Sequence, residues 1–228
     1  MKERNLDREA PGENSSSQNV KQSILEIRRG AGGSKTEILL SGGSSFFITP
    51  RIVLQYDLKE GLWLTEFQIE DLKSRGEYIL SKRKALELLG SREHSVYQLR
   101  QKLIQRNFSL TVIDRVLEEL INEGSVSNTR FMETWLNNRL RRHPEGYRAL
   151  FAGLIKAGIP SGEAGDYLID YMDNVDTDKL LEAAAVKILR KRHISRDKLA
   201  RSLCNRGFDT ALVIRYIEKN FPERDDIT

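Results

Sequence analysis

The sequence predicts a mainly α protein: three tandem three-helix repeat units stacked into an elongated array, preceded by a small β-rich N-terminal segment and a disordered N-terminal tail. Three observations carry this reading. From residue 78 onward the chain matches itself at an offset of 100 residues, in Ala85/Ala185, Leu89/Leu189, Leu99/Leu199, Leu103/Leu203, Arg106/Arg206 and Phe108/Phe208. A further copy lies between them at an offset of 51, where Leu99 falls on Leu150, Leu103 on Leu154 and Phe108 on Ile159. Finally, Asn107, Gly158 and Gly207 occupy one position in the three copies. These residue types tolerate the left-handed conformation that ends a helix, and the apolar residue that follows each can close such a cap. A period of about 50 residues in three copies is the signature of stacked supersecondary units.

Residues 1–20 are polar and cannot offset their ordering entropy, so a disordered tail is expected there. Residues 21–77 hold short apolar runs at Ile24–Ile27, Ile38–Leu40 and Phe46–Ile48, separated by glycines. They read as two or three strands of a hairpin or meander, then a short helix that ends near Leu54. Gly30–Gly33 lacks a following Lys-Ser/Thr and a following helix, so it reads as a hairpin turn and not a phosphate loop. Thr65-Glu-Phe-Gln68 has the form of a capping box and opens a helix over 66–77. The repeat units follow at 78–127, 128–178 and 179–228. In the first, Ala85, Leu88 and Leu89 share a face of helix one. Ser95-Val-Tyr-Gln98 is a second capping box that opens helix two, and Leu99 and Leu103 stack one turn apart on its buried side. Helix three carries Ile113, Val116, Leu117 and Leu120, and its last copy Val213, Tyr216 and Ile217. Three short helices bury little core alone, so neighbouring units are expected to stack.

Composition narrows the function classes. Cys204 is the single cysteine, which excludes a disulfide framework and a cysteine-rich zinc site. No stretch approaches a membrane span and the N-terminus has no apolar signal segment, so a cytoplasmic protein is expected. No nucleophile–base pair, metal-binding motif or phosphate loop is visible. The expectation is no enzyme activity, no catalytic or metal residues and no cofactor. His94, His143 and His193 sit at equivalent corners of different units and read as surface or cap residues. The acidic residues Glu163, Asp166, Asp170 and Asp173, continued by Asp176 and Asp178 in a linker, read as a solvated face.

What remains is positive charge. The net charge is +4, and residues 179–228, with twelve basic and seven acidic side chains, hold +5. Arg92, Arg142 and Arg192 all fall at the end of helix one of their units. Each can complement a helix dipole, or the three can form a line of charge for a partner. The candidate binding residues are Arg92, Arg100, Lys102 and Arg106 in the first unit, and Arg142 and Arg148 in the second. In the third they are Arg190, Lys191, Arg192, Arg196, Lys198, Arg201 and Arg206.

The run Ala85-Leu-Glu-Leu-Leu-Gly-Ser-Arg-Glu-His-Ser95, with Gln98–Leu103, Ile113–Gly124, Arg130-Phe131 and Trp135, resembles the RecX family of recombinase regulators. Gly146-Tyr-Arg-Ala-Leu150 and Leu154-Ile-Lys-Ala-Gly-Ile159 are similar to that family's middle unit, while Asn128 stands where the family usually has an acidic residue. The resemblance implies a regulator in DNA repair, homologous recombination and the SOS response. It would lie in the groove of the filament that RecA forms on single-stranded DNA and suppress ATP hydrolysis and strand exchange. Its partners would be the RecA filament and the single-stranded DNA backbone, with no membrane, and it would act as a monomer. Two rival readings use the same residues: a helix-turn-helix transcriptional regulator of duplex DNA, and an interaction scaffold without nucleic acid.

Overall fold

The computed structural model describes residues 21–30, 33–190 and 194–222. The expected tail at 1–20 and the candidates Lys191 and Arg192, with His193, lie outside these. The chain divides into two compact units at Ile79/Leu80.

The first unit is built on a four-stranded antiparallel sheet in the order β3-β2-β1-β4. Strands β1 (Lys21–Arg29), β2 (Thr36–Leu40) and β3 (Ser45–Ile48) form the expected meander. Its first turn is closed by Gly30 N–H to Lys35 O (2.9 Å) and Gly33 N–H to Gly30 O (3.0 Å). Helix α1 (Pro50–Gln55) follows, with proline at its first turn where no N–H is needed. Strand β4 (Trp63–Thr65) was not anticipated. Three residues carry no alternation signal, and its pairing of Gln22 with Leu64 is a long-range event. Ile24, Ile38, Leu40, Phe46 and Ile48 form one buried face, covered by Ile52 of α1 and by Ile69 and Leu72 of the next helix.

That helix, α2 (Glu66–Ser91), opens on the expected capping box: Thr65 Oγ1 accepts from Gln68 N–H (3.2 Å), and Gln68 Oε1 accepts from Thr65 N–H (2.9 Å). The expected end lies near residue 77. The helix instead runs unbroken to Ser91 in the first repeat, with no proline along it to stop it.

The second unit holds the three repeats. The first is the end of α2 with α3 (Val96–Ile104) and α4 (Leu110–Asn122). The second is α5 (Asn128–Arg142), α6 (Tyr147–Lys156) and α7 (Ser161–Asp173). The third is α8 (Thr177–Leu189), α9 (Arg196–Asn205) and α10 (Thr210–Asn220). The pattern residues are the core: Ala85, Leu99, Leu103, Ile113, Val116 and Leu120 are each fully buried, as are Leu150, Leu154 and Leu168, and Leu203 and Val213. Each such aliphatic side chain contributes about 1.5–3 kcal/mol relative to exposure. Asp176, expected in a linker, is the N-cap of α8 and accepts from Lys179 N–H (3.0 Å).

Asn107, Gly158 and Gly207 all have left-handed φ, at +60°, +82° and +84°. In the last two repeats the apolar residue that follows returns its N–H to the helix: Ile159 to Leu154 O (3.1 Å) and Phe208 to Leu203 O (3.4 Å). That is the hydrogen-bond pattern of a Schellman cap.

Candidate functional site

The repeats dock by one contact used twice. The N-cap of helix two in one repeat meets the residue just before the left-handed turn of the next. Ser95 Oγ donates to Ala157 O (2.6 Å), and Gly146 N–H donates to Arg206 O (2.9 Å), with Arg148 N–H to Gly207 O (3.2 Å) beside it. The backbones approach so closely that a β-carbon at Gly158 would lie 2.2 Å from the Tyr97 ring, and one at Gly207 2.3 Å from Ala149 N. Asn128 ties the first junction further. Its Oδ1 accepts from Val96 N–H (3.0 Å) and its Nδ2 donates to Glu163 (3.0 Å), which removes Glu163 from the solvated acidic face expected for it. Arg130 completes the junction with bonds to Glu93 (3.1 Å), Gly124 O (2.8 Å) and Ser125 O (3.0 Å).

This docking reshapes two expectations. Ser95 caps α3 through Gln98 N–H (3.1 Å), but the reciprocal half of the box is missing, since Gln98 Oε1 is buried without a hydrogen-bond partner. His94 is not a surface residue: it is 1% exposed, with Nδ1 2.9 Å from Arg92 O at the end of α2. Burial, with smaller contributions from the charges of Arg92 and Lys102, holds its imidazole below the usual histidine range.

The fold also sorts the candidate cations. Arg100 is paired with Asp114. Arg106 donates to Lys102 O (2.7 Å) and closes the end of α3. Arg148 donates to Phe208 O (2.9 Å) across the second junction, and Arg206 to Pro144 O (3.4 Å) across the same one. Lys82 of the first repeat bridges Glu119 (3.0 Å) and Glu123 (2.9 Å). These groups already serve the repeats. By contrast, Arg92, Lys102, Arg142, Arg190, Lys198 and Arg201 have no ion-pair partner among the described residues. Arg190 is the exposed C-cap of α8, and Arg196 opens α9.

Two clefts gather most of the cations without an ion-pair partner. The first, about 320 Å³, is lined by Arg92 and Glu93 together with Thr134, Trp135, Asn138, Arg142 and His143. Arg92 follows the end of α2 and Arg142 is the last residue of α5, so the ends of helix one in two repeats line a common space. Arg139 lies over the Trp135 ring (5.5 Å) and is held by Glu145 (2.8 Å), whose hydrogen bond raises the guanidinium pKa. Trp135 is seated by Gly153, where a β-carbon would come within 2.5 Å of the indole. The second cleft, about 530 Å³, is lined by Lys187, Lys198, Arg201 and Arg206 with Ile188 and Ile194. Lys187 donates to Arg142 O (2.9 Å) and so joins the third repeat to the end of α5. Thr134 and Asn138 carry no sequence signal; helical spacing from Trp135 and Arg142 would have been the only route to them. No group of three or more histidine, cysteine, aspartate or glutamate side chains among the described residues could hold a metal ion, and no described helix is long and apolar enough to cross a membrane.

Comparison with known proteins agrees with this arrangement. Residues 82–120 match the family model described as RecX, first three-helix domain. The chain is 34% identical over 140 residues to Regulatory protein RecX of Chlorobium phaeobacteroides (strain BS1), covering 60% of this chain and 91% of that relative. It is 25% identical over 178 residues to Regulatory protein RecX of Streptococcus uberis, covering 75% of this chain and 67% of the relative. Two crystal structures share the fold. One, of a regulatory protein RecX, has a TM-score of 0.61 at 18% identity and covers 87% of this chain and 99% of its own. The other, of RecX from Lactobacillus salivarius, has a TM-score of 0.55 at 21% identity and covers 63% and 96%. With a relative at this identity matched over nearly its whole length, on top of the shared repeat fold, the chain belongs to the RecX family.

Proposed function

We propose that this protein is a non-enzymatic regulator that seats in the groove of the RecA filament on single-stranded DNA and holds down ATP hydrolysis and strand exchange. The observation that carries the reading is the sorting of cations. The fold leaves Arg92 and Arg142 without an ion-pair partner among the described residues and places both in one cleft, with Arg92 donating only to the neighbouring Glu93 O (3.2 Å), while Arg100 is paired with Asp114 and Arg148 and Arg206 bond across the second junction. Unpaired guanidiniums around a shallow cleft suit phosphate oxygens or carboxylates, which Arg binds with two parallel donors. The second cleft, with Lys198 and Arg201, extends the positive surface into the third repeat, where the net charge excess lies. Relatives named as regulatory proteins support a role without catalysis. The setting would be recombination and DNA repair in the cytoplasm.

The transcriptional-regulator reading draws less support. In the second and third repeats the turn between helices two and three carries the preceding repeat, and a helix-turn-helix reader needs that region free for the duplex. The decisive assay adds the full chain to RecA undergoing DNA-dependent ATP hydrolysis. Inhibition at stoichiometric or lower levels is expected; its absence ends this reading.

A further inference from the structure

The docking contact is used twice, yet the array has three turns and three N-caps. One turn and one N-cap are therefore left over. The spare turn is Arg106-Asn107-Phe108: Arg106 and Asn107 are exposed and Phe108 is half-buried, whereas Ile159 is 3% exposed and Phe208 1%. The spare N-cap is Ser195. It is exposed and its side chain makes no capping bond, whereas Ser95 is fully buried. Each N-cap precedes its own turn by the same twelve residues, so the two spare edges are the two halves of one contact. A second copy of this chain could offer its Ser195 edge to the Asn107 turn of the first. Such a contact is head-to-tail, so each copy that joins leaves the same two edges open for the next.

We propose that Asn107 is a stop against this self-assembly. The turn needs a left-handed residue, and both asparagine and glycine supply one. Docking needs more: at Gly158 and Gly207 a β-carbon would lie 2.2 and 2.3 Å from the incoming repeat. Asn107 keeps the turn and carries the side chain that the contact forbids. In an intermolecular copy of the junction, Asp197, the counterpart of Tyr97, would meet the Asn107 side chain directly. The two internal turns are glycine and the open one is not, as expected if the terminal position is selected to end the array.

The test is analytical ultracentrifugation of three full-length proteins. The wild type should sediment at the monomer mass of 26.2 kDa at every attainable concentration. Asn107→Gly, which makes the first turn identical to the other two, should keep its thermal midpoint. Its weight-average mass should rise with concentration by about twofold or more. Adding Ser195→Trp to Asn107→Gly should return it to the monomer. The proposal is overturned if the wild type itself associates, if Asn107→Gly stays monomeric, or if its association survives Ser195→Trp.

Discussion

The turn after helix two is built three times, and the first copy differs from the other two in what lies against it. At Gly158 and Gly207 the preceding repeat presses its helix-two N-terminus onto the turn, with bonds of 2.6 Å from Ser95 and 2.9 Å from Gly146. At Asn107 the same backbone conformation faces solvent. The difference separates two demands that a glycine can meet. One is conformational, a positive φ, and asparagine satisfies it. The other is steric, the absence of a β-carbon, and only glycine does. A repeat alignment shows the first demand at all three positions; only the packing shows that the second applies at two.

Replacing Gly207 with asparagine, the residue that the first turn tolerates, should break the comparison most severely. The clash is with the backbone at Ala149 N, and two interrepeat backbone bonds go with it. Urea unfolding should show a loss of about 3 kcal/mol or more. A loss below about 1 kcal/mol would mean that the second junction does not hold the repeats together. Gly158→Asn should cost a similar amount, about 3 kcal/mol, because the obstruction includes Tyr97 Cβ (2.4 Å), which no side-chain rotation removes. The N-caps give the next step down. Ser95→Ala loses a cap and the bond to Ala157 O, worth about 1–2 kcal/mol. Ser195→Ala at the open edge should stay within about 0.5 kcal/mol, and equal losses at the two serines would contradict the assignment of buried and open ends.

The smallest expected effect is a pH dependence confined to the first junction. His94 has a folded pKa below its ordinary 6.5, chiefly through burial, so the unfolded chain takes up its proton more readily. Its contribution to stability is complete above about pH 6.5 and is lost as pH falls from there toward the folded pKa. Denaturant midpoints measured across that window should fall with acid in the wild type and fall less in His94→Gln. Parallel profiles would remove His94 as the cause.

Much of this was legible in the sequence where the determinant is local. The repeat period, the left-handed turns and the aliphatic stripe from Leu99 to Leu120 follow from spacing alone, because a helix face and a helix stop are each set by a few neighbouring residues. The junctions were not legible. Gly146 N–H and Arg206 O belong to the backbone, which has no residue identity to read. The use of Arg148 and Arg206 as interrepeat donors was hidden for a related reason: a guanidinium that bonds a distant carbonyl looks, in sequence, like one awaiting a partner. The continuity of α2 through residue 77 depended on the absence of a stop signal, which is weaker information than its presence.

The cations without an ion-pair partner in the fold, and not those bonded across its junctions, are expected to meet the partner. Arg92→Glu combined with Arg142→Glu tests it directly, read as inhibition of RecA's DNA-dependent ATPase beside an unfolding curve for the same protein. The unfolding midpoint should be unchanged, and inhibitory potency should fall by about tenfold or more at low salt, a loss that shrinks as salt is raised. Full inhibition by the doubly reversed protein would contradict it.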